Sequence, residues 1–165
     1  MGLAGCGEDG TAAATANVEY APADRTTAPT VTGELLDGGR YDLASARGTV
    51  VVVNFWGSWC PPCRAEIGDL EATYQATKAK GVSFLGINIR DDRDKARAFQ
   101  AGRVSYPSLF DPQSRLALAF DVPPNAIPAT IVLDRVGRVA VVIRRAVLRA
   151  DLEPIIARVA AEPAA

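Results

Sequence analysis

The chain has 165 residues, 48% hydrophobic and 22% charged, which is enough material for one domain with its own core. Its 18 basic and 19 acidic residues give a formal net charge of −1, so the charge balance does not point to nucleic acid, and no apolar run of about 18 residues is present to span a membrane. Histidine is absent, which excludes Ser-His-Asp and Cys-His catalysis and histidine metal sites; with only Cys6, Cys60 and Cys63 as thiolates, no metal centre is expected, and copper delivery is disfavoured.

Near the N-terminus, Leu3-Ala4-Gly5-Cys6 resembles the cleavage box of bacterial lipoproteins, whose cysteine becomes the lipidated first residue. The basic and apolar stretch that normally precedes such a box is missing. Cys6 is therefore read as the lipidation site of a chain shortened at its N-terminus, against the alternative of a stray thiol in a tail. Gly7 to Arg25 is rich in Ala, Thr, Gly and acids, a composition that buries little, and residues 1–27 are expected to form a flexible tether. The folded domain is expected over residues 28–162, with 163–165 as a tail.

Thr30 to Leu36 and Arg40 to Leu43, joined by Asp37-Gly38-Gly39, predict a small β-hairpin. Val50 to Phe55 is a short, continuous, β-branched run, the pattern of a central strand buried on both faces of a mainly parallel sheet. A helix follows from about Pro61 to Lys80, with Cys63, Ile67, Leu70 and Tyr74 on one stripe, Pro61 in its first turn and Gly81 as its stop; Gly68 should weaken or bend it. Val82 to Ile89 predicts a second buried strand, Lys95 to Ala101 a helix and Ser105 to Phe110 an extended piece. A helix capped by Asp111 is expected to reach about Phe120. Ala129 to Leu133 and Val139 to Ile143 predict two strands joined by a turn at Arg135 to Gly137. The last helix, capped by Asp151, carries a stripe of Leu152, Ile155, Ile156 and Val159. Strands alternating with helices and ending in a hairpin plus helix predict an α/β sheet between helices.

The chemistry concentrates in Trp59-Cys60-Pro61-Pro62-Cys63. Cys60 falls where the strand turns into the helix, at the carboxyl edge of the sheet, so its thiolate is stabilised by unpaired N–H groups and the helix dipole. Cys63 lies one turn into the helix on the apolar stripe. Cys60 is thus the attacking nucleophile and Cys63 the resolving thiol of a thiol–disulfide exchange.

The segment Asn54-Phe55-Trp56-Gly57-Ser58-Trp59-Cys60-Pro61-Pro62-Cys63-Arg64-Ala65-Glu66 resembles the active site of thioredoxin-fold proteins of the TlpA/ResA/DsbE type, which are extracytoplasmic bacterial thiol–disulfide oxidoreductases. The resemblance runs from about Ala28 to the C-terminal helix. It implies a thioredoxin-like fold: a central mixed β-sheet flanked by helices, with an N-terminal β-hairpin and a central αβ insertion. It also implies a cis-proline facing the cysteines, a position that Pro128 in Ile127-Pro128-Ala129-Thr130 fits, with the Ile127 backbone left open to a substrate's extended chain; Pro123 and Pro124 lack the following strand. Where many thioredoxins carry a buried carboxylate in the strand before the active site, this chain has Asn54. The acid that the TlpA/ResA branch carries beyond the next strand falls on Asp91, and capping of a helix by Asp91, Asp92 or Asp94 is the competing role. Trp59 is expected to shield the disulfide, Trp56 to sit in the core, Glu66 to lie at the surface or in a salt bridge, and Arg64 to be exposed or near the thiolate. Gly68 stands where relatives often have a kinking proline.

Pro61 and Pro62 offer the thiolate neither charge nor N–H, which favours a reductant. The resemblance implies protein thiol and disulfide substrates, such as apocytochrome c before haem attachment, and an electron donor in the membrane. It implies no cofactor beyond the Cys60–Cys63 disulfide, and a location outside the cytoplasm with Cys6 as lipid anchor. A DsbE/DsbF-like oxidase of secreted proteins is the alternative. A thiol peroxidase of the peroxiredoxin type would want Thr-x-x-Cys, and a binding module would work without either cysteine. A monomer is expected by default.

Overall fold

The computed structural model describes residues 17–163; Cys6 and the rest of the lipobox-like segment lie outside them. The elements are β1 (Asn17–Glu19), β2 (Thr32–Glu34), β3 (Arg40–Asp42), β4 (Val50–Trp56), α1 (Pro61–Thr77), β5 (Val82–Ile89), α2 (Arg93–Gln100), β6 (Ser108–Asp111), α3 (Arg115–Ala119), β7 (Ala129–Leu133), β8 (Val139–Ile143) and α4 (Arg149–Ala160). Among the described residues no helix is long and apolar enough to cross a membrane.

β4 is buried along its whole length, and its valines suit the extended backbone because branching at Cβ restricts χ1. It lies between a parallel neighbour, β5, and an antiparallel one, β7, with Trp56 opposite Asn88 on one side and Phe55 opposite Ala129 on the other. The six-stranded order is β1-β8-β7-β4-β5-β6. The sheet is therefore mixed, as the resemblance implies, rather than mainly parallel, because β7 and β8 form an antiparallel hairpin on one side of β4. The αβ insertion is α2, β6 and α3, between β5 and β7.

Alternation along β4 divides the core. Val51, Val53 and Phe55 pack with Leu85, Ile87 and Ile131 and with Ala117 and Phe120 of the α3 region. Val50 and Val52 pack with Leu70 of α1 and with Leu152, Ile155, Ile156 and Val159 of α4. Asn54 and Trp56 continue this second face toward the cysteines. The hairpin β2–β3 docks on β6 through the Leu35–Leu109 bridge and the Leu36 N–H, which donates to Ser108 O at 2.9 Å.

Regular structure begins earlier than the composition suggests. Instead of a tether reaching residue 27, Asn17–Glu19 pairs with β8 at the sheet edge. Arg25 anchors the segment: its guanidinium, 4% exposed, meets Glu162 at 2.6 and 2.7 Å and Asp134 at 3.2 Å. The segment is held by edge pairing and one buried cation, and neither leaves a hydrophobic pattern in the sequence.

Two expected caps are corrected. Asp151 lies inside the first turn of α4 and pairs with Arg145 at 3.0 Å; the Arg149 N–H is taken by Asp69 of α1, at 2.9 Å. The helix after Asp111 is also shorter than expected. Asp111 ends β6, and its carboxylate accepts from the N–H groups of Arg115 and Leu116 at 3.0 and 2.9 Å across an intervening turn. α1 runs without interruption past Gly68 and, after a short 3-10 turn, stops at Gly81 (φ 76°).

Replacing Arg25 by Ala leaves Asp134 and Glu162 without their shared cation. The variant should lose about 2–3 kcal/mol in urea unfolding and become cleavable within residues 17–27 by limited proteolysis.

Candidate active site

The site forms where β4 ends and α1 begins. Cys60 is the residue before the helix, with extended backbone, and Pro61 and Pro62 occupy the first two helical positions. Cys60 and Cys63 are joined as a disulfide with Cα atoms 5.2 Å apart. The Cys63 N–H donates to Cys60 Sγ at 3.3 Å. This is the N-cap arrangement with sulfur in place of oxygen. Both cysteines are buried in the oxidised pair, at 3% and 1% exposure. Across from them the Ile127–Pro128 bond is cis, and Ile127 O lies 3.8 Å from Cys60 Sγ.

The turn carrying Cys60 is held from several directions. Asp91 accepts from the Ser58 N–H at 2.6 Å, the Ser58 hydroxyl at 2.7 Å, Asn88 Nδ2 at 2.9 Å and the Asp92 N–H at 2.9 Å. Asp92 is the cap of α2, through the N–H groups of Asp94 and Lys95. Asp91 thus clamps the active-site turn, a role that neither sequence alternative named.

Trp59 is 46% exposed. Its ring lies over Gly57, where a Cβ would stand 2.5 Å from Nε1, and it donates to Ile89 O at 3.3 Å. The indole in the same buried cluster as Cys60 and Cys63 is Trp56, together with Leu36, Ala96 and Phe99. Trp56 donates to Ser108 Oγ at 2.8 Å, and a Cβ at position 86 would press on that hydroxyl, so any larger residue there must displace it. Arg64 donates to Ser58 O at 3.1 Å and lies over the Phe99 ring.

Glu66 departs most from expectation. It is 2% exposed rather than at the surface, and among the described residues it has no basic partner. Oε1 accepts from Asn54 Nδ2 at 2.8 Å and Oε2 from the Val147 N–H at 2.9 Å, while Asn54 also donates to Thr130 Oγ1 at 3.1 Å. Burial pushes its carboxyl up to about 7 despite these donors. The acid missing from the strand at Asn54 is supplied by the helix, one turn after Cys63. Spacing held the signal: the buried positions of α1 are Cys63, Glu66, Leu70, Thr73 and Thr77, steps of three and four that include one acid and two hydroxyls. The Thr73 and Thr77 hydroxyls donate to the carbonyls of Asp69 and Thr73, each at 2.7 Å.

Residues 25–142 match the AhpC/TSA family. The chain is 31% identical over 128 residues to the thiol–disulfide oxidoreductase ResA of Geobacillus kaustophilus, covering 77% of this chain and 72% of that one. Among solved structures, it is similar to a secreted thiol–disulfide isomerase from Corynebacterium glutamicum (34% identity, TM-score 0.85, 98% and 99% of the two chains). It is also similar to a DsbF homologue from Corynebacterium diphtheriae (32% identity, TM-score 0.83, 95% and 99%).

Because the folded chain favours protonated Glu66, this group stabilises the fold fully below about pH 4.5 and loses that contribution as pH rises through 7. The loss is on the order of 3 kcal/mol. Urea unfolding of Glu66→Gln at stepped pH should lack this part of the decline, so the difference from the parent protein should grow between pH 5 and 8. Parallel profiles would show that Glu66 does not titrate in this range.

Proposed function

The chain belongs to the AhpC/TSA family and is a thiol–disulfide oxidoreductase, and from that premise we propose that it works as a reductant of protein disulfides outside the cytoplasm. In that direction the Cys60 thiolate attacks a substrate disulfide, forms a mixed disulfide and releases one substrate thiolate. The Cys63 thiolate then attacks Cys60 Sγ and releases the second, leaving the Cys60–Cys63 disulfide. Two electrons pass to the substrate, and a donor must return them before the next turnover. Cys63 has to lose its proton during the second step. Glu66, one turn away on the same buried stripe and titrating near 7, is the group through which pH reaches it.

One observation carries the direction. Cys60 Sγ receives a single helix N–H, from Cys63, because Pro61 and Pro62 have none to give. A weakly stabilised thiolate makes the dithiol form less favoured and the pair more reducing. The cis-Pro128 loop supports recognition of an extended substrate chain at the Ile127 backbone. The class of client is a protein whose cysteines must be reduced, such as apocytochrome c before haem attachment, with Cys6 as the site of a lipid anchor and a membrane protein as electron donor. A peroxidase role is not supported by the active-site segment, which has Gly57 where Thr-x-x-Cys would place its threonine.

The reduction potential, measured in defined thiol buffers by tryptophan fluorescence, should lie nearer the value of about −270 mV for thioredoxin than that of about −120 mV for DsbA. A value near the latter would make the protein an oxidase. Pro62→Ala restores the second helix N–H and should raise the potential by roughly 20–30 mV.

A further inference from the structure

Beside the active-site turn lies an open groove of about 660 Å³. Trp59 lines it from the turn, Arg64 from α1, Arg90 from the end of β5, Lys95 and Phe99 from α2, and Arg103 from just beyond. The thiol chemistry described above uses none of these basic groups.

The three guanidinium charges are held in place without being neutralised. Arg64 donates to Ser58 O and lies 4.5 Å from the centre of the Phe99 ring; Arg103 donates to Phe99 O at 2.7 Å and lies 4.8 Å from the same ring. Arg90 has a left-handed φ of 50°, uncommon outside glycine, and its guanidinium lies 5.6 Å from the Trp59 ring centre. Carbonyls and ring faces orient a guanidinium but leave its charge in place. Among the described residues, none of Arg64, Arg90, Lys95 and Arg103 is in an ion pair, whereas Arg93 and Arg97, on the same helix, pair with Glu34 and Asp37. The two acids on the groove wall are likewise held by neutral donors, Asp91 by Ser58 and Asn88 and Asp92 by the α2 N-terminus, so four basic and two acidic side chains leave the groove an excess of two positive charges.

We propose that this groove binds an acidic stretch of the protein substrate, alongside the disulfide that Cys60 attacks. The substrate's identity as a disulfide protein rests on the redox reading above; the charge of the groove does not. A polypeptide is the fitting partner because the positive charge is confined to a concave site with aromatic walls, contiguous with Cys60 through Trp59 and Ser58. The chain as a whole, at net charge −1, has no excess positive charge to draw it to a large flat polyanion. Prepositioned guanidinium groups also reduce the ordering cost of binding.

The test uses the oxidised protein and three cysteine-free peptides of equal length, one acidic, one neutral and one basic, with binding followed by tryptophan fluorescence and calorimetry. The acidic peptide should bind at least about tenfold tighter than the neutral one, and the preference should fade toward ~1 M salt, where the screening length is ~3 Å. Lys95→Gln/Arg103→Gln should abolish the preference and Lys95→Glu/Arg103→Glu should turn it toward the basic peptide; these side chains are exposed, so both variants should fold. Equal affinity for the three peptides, or an acidic preference that survives in both variants, would overturn the proposal. Binding to phosphatidylglycerol vesicles without a peptide preference would also overturn it, in favour of a membrane contact. Reduction of hydroxyethyl disulfide, a small neutral substrate, should proceed at the parental rate in both variants. If the parent protein fails that reaction, the redox reading falls, while peptide binding still decides the groove.

Discussion

Glu66 accepts one hydrogen bond from Asn54 on β4 and another from the Val147 N–H before α4, in a part of the core closed to water. A carboxylate buried without a cation is costly, so both oxygens must find donors and everything that supplies one is fixed in place. Asn54 is fixed in turn by Thr130 on β7, two residues beyond the cis-proline. One side chain therefore registers the helix of the cysteines against the strand before it, the strand after the cis-proline and the segment entering the last helix. It does so from the same buried stripe that carries Cys63, which makes it both a structural tie and a titrating neighbour of the chemistry.

Cys60 is nearly as buried as Glu66, but its sulfur is served by fewer donors. Cys60 stands at the boundary between a strand with no exposed residue and a helix whose first two positions carry no N–H. The sulfur is thus close to the core and yet receives only one backbone donor. Polar contacts hold the turn that presents it: Asp91 on Ser58, Arg64 on the Ser58 carbonyl, Trp59 on Ile89. The guanidinium groups of Arg64, Arg90 and Arg103 line the groove beside this turn.

Much of this was legible in the chain. The Cys60-Pro61-Pro62-Cys63 spacing, the apolar run before it and the helix after it placed the reactive pair at a sheet edge, and Ile127-Pro128 before a strand marked the opposing loop. Other features were hidden for identifiable reasons. Arg25 anchors residues that read as a tether, because a salt bridge between residues more than a hundred positions apart leaves no local pattern. Asp151 looked like a cap because of its place before an apolar stripe, whereas Asp69, from another helix, fills that role. Trp59 and Trp56 are both tryptophans near the cysteines; the parity of β4 sends Trp56 inward, and the turn sends Trp59 out over Gly57.

The sequence by itself determined the reaction class, the two reacting sulfurs and the order of the elements that present them, because these depend on residue identity, on short spacings and on local hydrophobic periodicity. Tertiary structure alone decided the state of Glu66, the grip of Asp91 on Ser58 and the clustering of Arg64, Arg90, Lys95 and Arg103 on one flank. Burial and charge are properties of what surrounds a side chain, and those surroundings come from segments far apart in the chain.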